Sequence, residues 1–249
     1  MLRNLTATRC VHCLDCFIES ELTADHIVPA SWYPRSFPKD KPKPHAPSCK
    51  GCNSRLGRVE RALLVRIGLC LDPSSCDAAG IAEKAMRAVN SSAGVGRKDS
   101  EHRRALRQKV LNEIVPRHLI SVDSIIPGFG PPAASMPSEQ IALGLEKKLV
   151  DALGEKLVRG ATYLFSRIYI EPGHEIITGF FRPGSNPYLE VLDRFARCME
   201  LGPGFRMRRA GDAPEDIACG LFEFVFWNRF DLYSAVTRTK AASGASVGA

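Results

Sequence analysis

The sequence predicts an α+β protein, and three observations carry that expectation. Two C-x2-C knuckles, Cys10 with Cys13 and Cys49 with Cys52, bracket a short strand-like run around Asp25 and His26. From Lys50 to about residue 118, apolar residues recur every three or four positions, which is the period of helices. Beyond about residue 165 the period falls to two, as in strands.

Each element follows in order. The first knuckle turns at residues 10–13. Residues 22–28 read as a strand that stops at Pro29, since proline cannot donate to a ladder. Residues 30–47 read as loop, with five prolines and with Lys39, Lys41 and Lys43 in alternation. That loop is either a mobile basic arm for a phosphate backbone or a plain solvated segment. Leu56, Val59, Leu63, Ile67 and Cys70 then give one apolar face of a helix that opens near Lys50, with Asn53 in its first turn. Arg55, Arg58, Arg61 and Arg66 lie along it, as phosphate contacts near its start or as its solvated side.

Two more helices are expected at about 77–90 and 100–118, the second basic on one side. Four prolines and two glycines within residues 124–137 mark a linker. Ile141, Leu145, Leu149, Leu153 and Leu157 form the seam of a long helix at about 139–158. Strands are expected at 167–170, 175–181, 205–209 and 217–227, with a helix near 187–200; the last strand is apolar on nearly both faces and belongs at the centre of its sheet. The layout is thus a knuckle module at 1–72, a helical extension at 73–122, a linker at 123–137, an α+β domain at 138–238, and a small-residue tail at 239–249 expected to be disordered.

Composition narrows the function classes. No apolar run reaches about 18 residues and the N-terminus lacks an apolar signal core, so a soluble, cytoplasmic protein with no membrane partner is expected. Nine cysteines, an odd number gathered in knuckles, fit metal-bound thiolates better than disulfides. Net charge is +7, but residues 1–120 carry 20 Lys and Arg against 12 Asp and Glu, while residues 121–249 carry 14 against 15. The basic half is the half with the knuckles, and a polyanion such as nucleic acid is its expected partner.

The chemistry-bearing residues fall in one stretch. Residues 10–53 hold five of the nine cysteines and three of the six histidines. Two thiolates two residues apart reach one ion from a single turn, so Cys10, Cys13, Cys49 and Cys52 make a tetrahedral structural zinc site across a loop of 35 residues. Cys13 and Cys16 form a competing C-x2-C pair; Cys10 with Cys13 is preferred because it leaves more room for a turn and a strand before Asp25. Asp25 and Asn53 offer the hard oxygens that magnesium favours, which implies a second ion. His26 titrates near neutrality and can act as a base. His12 is expected to be exposed between the knuckle cysteines. Cys70, Cys76, Cys198 and Cys219 are expected to be core or incidental thiols, and His174 to be isolated.

The order C-x2-C, Asp25-His26 followed by two apolar residues and Pro29, then C-x2-C with Asn53 resembles the HNH endonucleases over roughly residues 5–70. The resemblance implies a ββα-metal core, with Asp25 and Asn53 as ligands of a catalytic Mg2+ or Mn2+, His26 as general base and the four cysteines as a structural Zn2+ site. It also implies hydrolysis of a phosphodiester, in DNA first of all, to a 5′ phosphate and a 3′ hydroxyl. Arg55, Arg58, Lys41 and Lys43 are the candidate phosphate contacts. The chain departs from the family pattern before the second knuckle, where an Asn is usual and the sequence reads PKPHAPSC, with His45 as the nearest polar residue. Two other readings stand beside this one: a zinc-dependent nucleic-acid-binding module without cleavage, and a defence nuclease gated by a ligand or protein at its C-terminal domain. The joint presence of Asp25, His26 and Asn53 favours cleavage.

Overall fold

The computed structural model describes residues 7–121, 124–127, 129, 141–181, 186–211 and 216–239. Strands β1 (Ala7–Arg9) and β2 (Cys16–Ile18) pair antiparallel around the first knuckle. Strands β3 (Leu22–His26) and β4 (His45–Cys49) form a second antiparallel pair, in a register that sets Leu22 opposite Cys49 and His26 opposite His45. Helix α1 (Lys50–Leu69) leaves β4 directly. Helices α2 (Ile81–Val89) and α3 (Arg97–Asn112) follow, then β5 (Ile114–Pro116) paired with β6 (Ile141–Leu143). Helix α4 (Lys147–Ser166), β7 (His174–Gly179), α5 (Pro187–Phe195), β8 (Arg197–Gly202), β9 (Phe205–Ala210), β10 (Gly220–Phe226) and β11 (Phe230–Arg238) complete the chain. The last five strands make an antiparallel sheet in the order β7-β11-β10-β9-β8.

The mixture of helices and strands is the expected α+β class, and β10 sits at the sheet centre as its apolar pattern requires. Phe222, Phe224 and Phe226 face the main core, whereas the other face of β10 carries Glu223, which is buried against Arg208. Several elements differ from expectation. Residues 167–170 form no strand, because Arg167 ends α4 in the left-handed region at φ 58°. The helix expected at 100–118 stops at Asn112, and the residues after it turn into β5. The long helix runs Lys147–Ser166, so Ile141 lies in β6 and only Leu149, Leu153 and Leu157 of the seam lie on α4. Strands β1, β2, β4, β5, β6, β8 and β11 are additional to the strands expected from periodicity. The linker at 123–137 falls mostly outside the described residues, as does the tail beyond Thr239.

One hydrophobic core runs through what the sequence divides into modules. Ile27, Val28, Trp32, Tyr33 and Phe37 from the first 40 residues pack with Leu63, Leu64 and Ile67 of α1, with Val150, Leu153, Leu157, Val158 and Ala161 of α4, and with Phe222, Phe226 and Phe230 of the sheet and Trp227 of its β10–β11 turn. The boundaries at 72/73 and 122/138 therefore mark no break in the core. Full burial of such a side chain contributes roughly 1.5–3 kcal/mol, so each half draws part of its core stabilisation from the other. Helix α4 is the piece between them. Gly160 lets it approach the first segment, since a Cβ there would lie 2.9 Å from Ile27 Cγ1, and Gly154 lets it approach β7, since a Cβ there would lie 2.1 Å from Thr178 Oγ1. No helix among the described residues is long and apolar enough to cross a membrane.

The loop at 30–47 is not a free arm. Its aromatic residues Trp32, Tyr33 and Phe37 are buried, and Lys43 Nζ lies 4.8 Å from the Tyr33 ring centre and 5.7 Å from that of Phe37. Cation–π attraction and aromatic burial pin the segment where its proline content alone suggests mobility.

Candidate metal centre and its surroundings

The four knuckle cysteines converge. The Sγ atoms of Cys10, Cys13, Cys49 and Cys52 all lie within 4.8 Å of one another, and those of Cys13 and Cys49 are 3.9 Å apart. A tetrahedral zinc with Zn–S bonds of about 2.3 Å requires S···S edges of about 3.8 Å, so the donor set fits that ion. The first turn closes with Leu14 N–H donating to Cys10 O at 3.0 Å, with Leu14 held at φ 67°. The second is the start of α1, where Cys49 is the N-cap and its sulfur accepts from Cys52 N–H at 3.4 Å. Cys10 Sγ likewise accepts from His12 N–H at 3.4 Å and Cys49 N–H at 3.3 Å.

These contacts set the acidities. Burial alone would raise the Cys10 thiol, but the N–H groups aimed at its sulfur outweigh burial and bring it down to about 7. Cys52 is pushed up to about 11, by burial first and then by neighbouring Cys49 and Cys10, and burial also raises Cys13. Four thiols this close cannot all ionise without a cation among them, and a dication supplies the charge that the backbone N–H groups at Cys10 and Cys49 offset only in part. Cys16 is exposed on β2 and outside the cluster, which resolves the choice of register in favour of Cys10.

Next to the knuckles, Asp25 is buried and fully engaged. His12 Nε2 lies 2.9 Å from Asp25 Oδ2, and Lys156 Nζ on α4 lies 3.0 Å from Asp25 Oδ1. Burial opposes the Asp25 charge, but the His12 hydrogen bond and the Lys156 ammonium outweigh it and hold the carboxyl below its usual range. Facing an ionised carboxylate, His12 Nε2 acts as the donor. The His12 side chain is 4% exposed, which corrects the expectation that it points to solvent: the knuckle turn aims it inward at Asp25. Asn53 does not meet Asp25 directly. Its Nδ2 donates to Thr23 Oγ1 at 2.9 Å, and Thr23 Oγ1 donates to Ser48 O at 3.0 Å, so Asn53 ties α1 to both strands.

His26 ends β3, next to Asp25 but pointing the other way by strand alternation. Its Nδ1 is a buried nitrogen with no hydrogen-bond partner among the described residues. Burial, then the charges of Lys43, His45 and Lys156, hold its imidazole below the ordinary value, so it is neutral near pH 7. His45 lies across the ladder from it and is exposed.

The candidate phosphate contacts divide. Arg55, Arg58 and Arg61 are exposed near the start of α1, and Lys41 and Lys43 are half-buried on the loop. Arg66 is turned away: it is 2% exposed and grips Glu113 through two hydrogen bonds of 2.7 and 2.6 Å. Apart from the cysteines, the described residues contain one other close group of possible ligands, His174, Asp216 and Cys219, so His174 is not isolated. His174 Nε2 lies 3.0 Å from Asp216 Oδ2, and Arg238 also holds that carboxylate, which makes the group an ion-paired cluster. Sequence reading misses His12, Glu60 and Lys156 as members of the Asp25 surroundings. Glu60 had a signal, because it lies seven residues after Asn53 and so on the same face of α1. The chain matches no protein-family model, no curated protein and no solved structure.

Proposed function

We propose that this chain is an HNH-type endonuclease that hydrolyses phosphodiester bonds of nucleic acid, DNA in the first instance, from a zinc-stapled ββα module made by β3, β4 and α1. The observation that carries the reading is His26, an imidazole at the end of a strand with an unpartnered buried nitrogen, kept neutral by burial and nearby positive charge. A neutral imidazole can take a proton from an attacking water, and the Lys43 charge beside it favours an approaching phosphate. Arg55 and Arg58, exposed near the start of α1, would carry further backbone phosphates. The zinc would hold β4 and the start of α1 against the first knuckle and take no part in hydrolysis.

A catalytic Mg2+ or Mn2+ on Asp25 and Asn53 does not fit these residues as they stand. Both Asp25 oxygens are engaged, by His12 and Lys156, and Asn53 Nδ2 is spent on Thr23. No step of the reaction is therefore assigned to such an ion. The same locking of Asp25 favours a second reading, a zinc-stapled module that binds nucleic acid without cutting it.

The deciding experiment incubates the full zinc-loaded chain with supercoiled plasmid, single-stranded DNA and RNA, in EDTA at a level that leaves zinc bound, in Mg2+ and in Mn2+. Nicked or linear product with 5′ phosphate and 3′ hydroxyl ends supports the endonuclease. Salt-sensitive DNA binding without any cleavage in all three conditions supports the binding module.

A further inference from the structure

Three oxygens from β3 and α1 converge beside His26, and an amine from α4 fills the space between them. Lys156 Nζ lies 3.0 Å from Asp25 Oδ1 and 2.6 Å from Glu60 Oε1, and it donates to the main-chain carbonyl of His26. The three side chains are 2%, 6% and 15% exposed. Two carboxylates and a carbonyl around one point are the donors a hard dication selects. Here one ammonium has taken that point.

The amine is held there by its helix. Lys156 and Gly160 lie one turn apart on the same face of α4, and Gly160 sits against Ile27, the residue after His26. Leu153, Leu157 and Ala161 anchor the helix in the core on either side. Freeing the seat would mean withdrawing a buried charge from two buried carboxylates or moving α4 as a whole, and both are strongly unfavourable.

We propose that Lys156 is a resident cation, whose ammonium occupies the seat a divalent ion would otherwise take at Asp25, Glu60 and the His26 carbonyl. The native chain then has no divalent-ion site at Asp25, and removal of the ammonium creates one. This goes beyond the endonuclease reading and does not depend on it, because it concerns cation binding in the resting protein. Failure of cleavage would leave it untouched.

The probe is Mn2+ alone, added to the full zinc-loaded chain and followed by loss of its free electron paramagnetic signal. Wild type is expected to bind no Mn2+ that the change Asp25→Asn removes. Lys156→Met keeps most of the apolar stem and removes the charge; it is expected to gain one Mn2+ per chain, lost again when Asp25→Asn is added. Asp25-dependent binding in wild type, or a zinc-loaded and folded Lys156→Met that binds no Mn2+, would overturn the proposal. Should Lys156→Met fail to fold, the ring resonances of His26 in wild type still decide: they are expected to stay sharp as Mn2+ is added, and selective broadening would refute a filled seat.

Discussion

The indole N–H of Trp227 donates to the carbonyl oxygen of Trp32 at 2.9 Å, and the two rings stack with centroids 5.2 Å apart. Trp32 lies six residues after His26, and Trp227 begins the turn between β10 and β11. The contact joins the segment that follows β3 to the β10–β11 turn of the C-terminal sheet.

The two halves should accordingly unfold together. Trp227→Ala removes the stack, the hydrogen bond and a fully buried ring, and should cost about 3–5 kcal/mol. Thermal unfolding followed both by near-ultraviolet circular dichroism and by zinc release should give one coincident midpoint, shifted down in the variant. Zinc release unchanged while the sheet signal shifts would show that the halves are independent.

A fragment ending at residue 122 should fail to fold. It would lose Val150, Leu153, Leu157, Val158 and Ala161 of α4 and every aromatic residue of the sheet, leaving Ile27, Trp32 and Leu63 without their partners. Solubility and zinc content of the purified fragment check this. A soluble, zinc-loaded fragment with a cooperative transition would contradict the shared core.

The zinc staple is open to direct assay. Freshly purified, reduced protein should hold about one zinc ion per chain, retained in excess Mg2+. Cys49→Ser should lose it, because Cys49 both belongs to the cluster and caps α1, while Cys16→Ser should keep it. Metal analysis of the three proteins checks both statements.

The knuckles and α1 were legible because their signals are local. Cysteine spacing points to a tetrad that could hold a metal whatever surrounds it, and the Leu56, Leu63, Ile67 stripe together with the second knuckle gives the helix its face and its start. Strand β4 was hidden by Pro44 and Pro47; it pairs on one side only, and Pro47 needs no donor there. Edge strand β8 was hidden by its exposed Arg197 and Glu200, and β11 by Ser234, a buried hydroxyl that meets Thr178 at 3.0 Å. Lys156 could not be read at all. A lysine beside a leucine seam looks solvated, and only the tertiary approach of α4 to β3 and α1 gives it Asp25 and Glu60 as partners. His12 is the same case on a smaller scale.

If His26 is the base, cleavage must follow its ionisation. Burial and nearby positive charge place its folded value below the free-imidazole value of about 6.5, so the active, neutral form persists to lower pH than in a free histidine. The rate should level off at high pH and fall as pH drops through the lowered value, with the midpoint of the acid limb below about 6.5. A pH–rate profile with zinc content measured at every point checks this. An acid limb centred above pH 6.5 would contradict it.

The most direct measurement compares wild type with His26→Ala, purified side by side, on supercoiled plasmid. Loss of a general base lowers a rate by about 10²- to 10⁴-fold, so His26→Ala should nick at no more than about one hundredth of the wild-type rate while zinc content, melting temperature and DNA binding stay close to wild type. Equal nicking by the two proteins would contradict a catalytic role for His26 and, with it, the endonuclease centre at β3, β4 and α1.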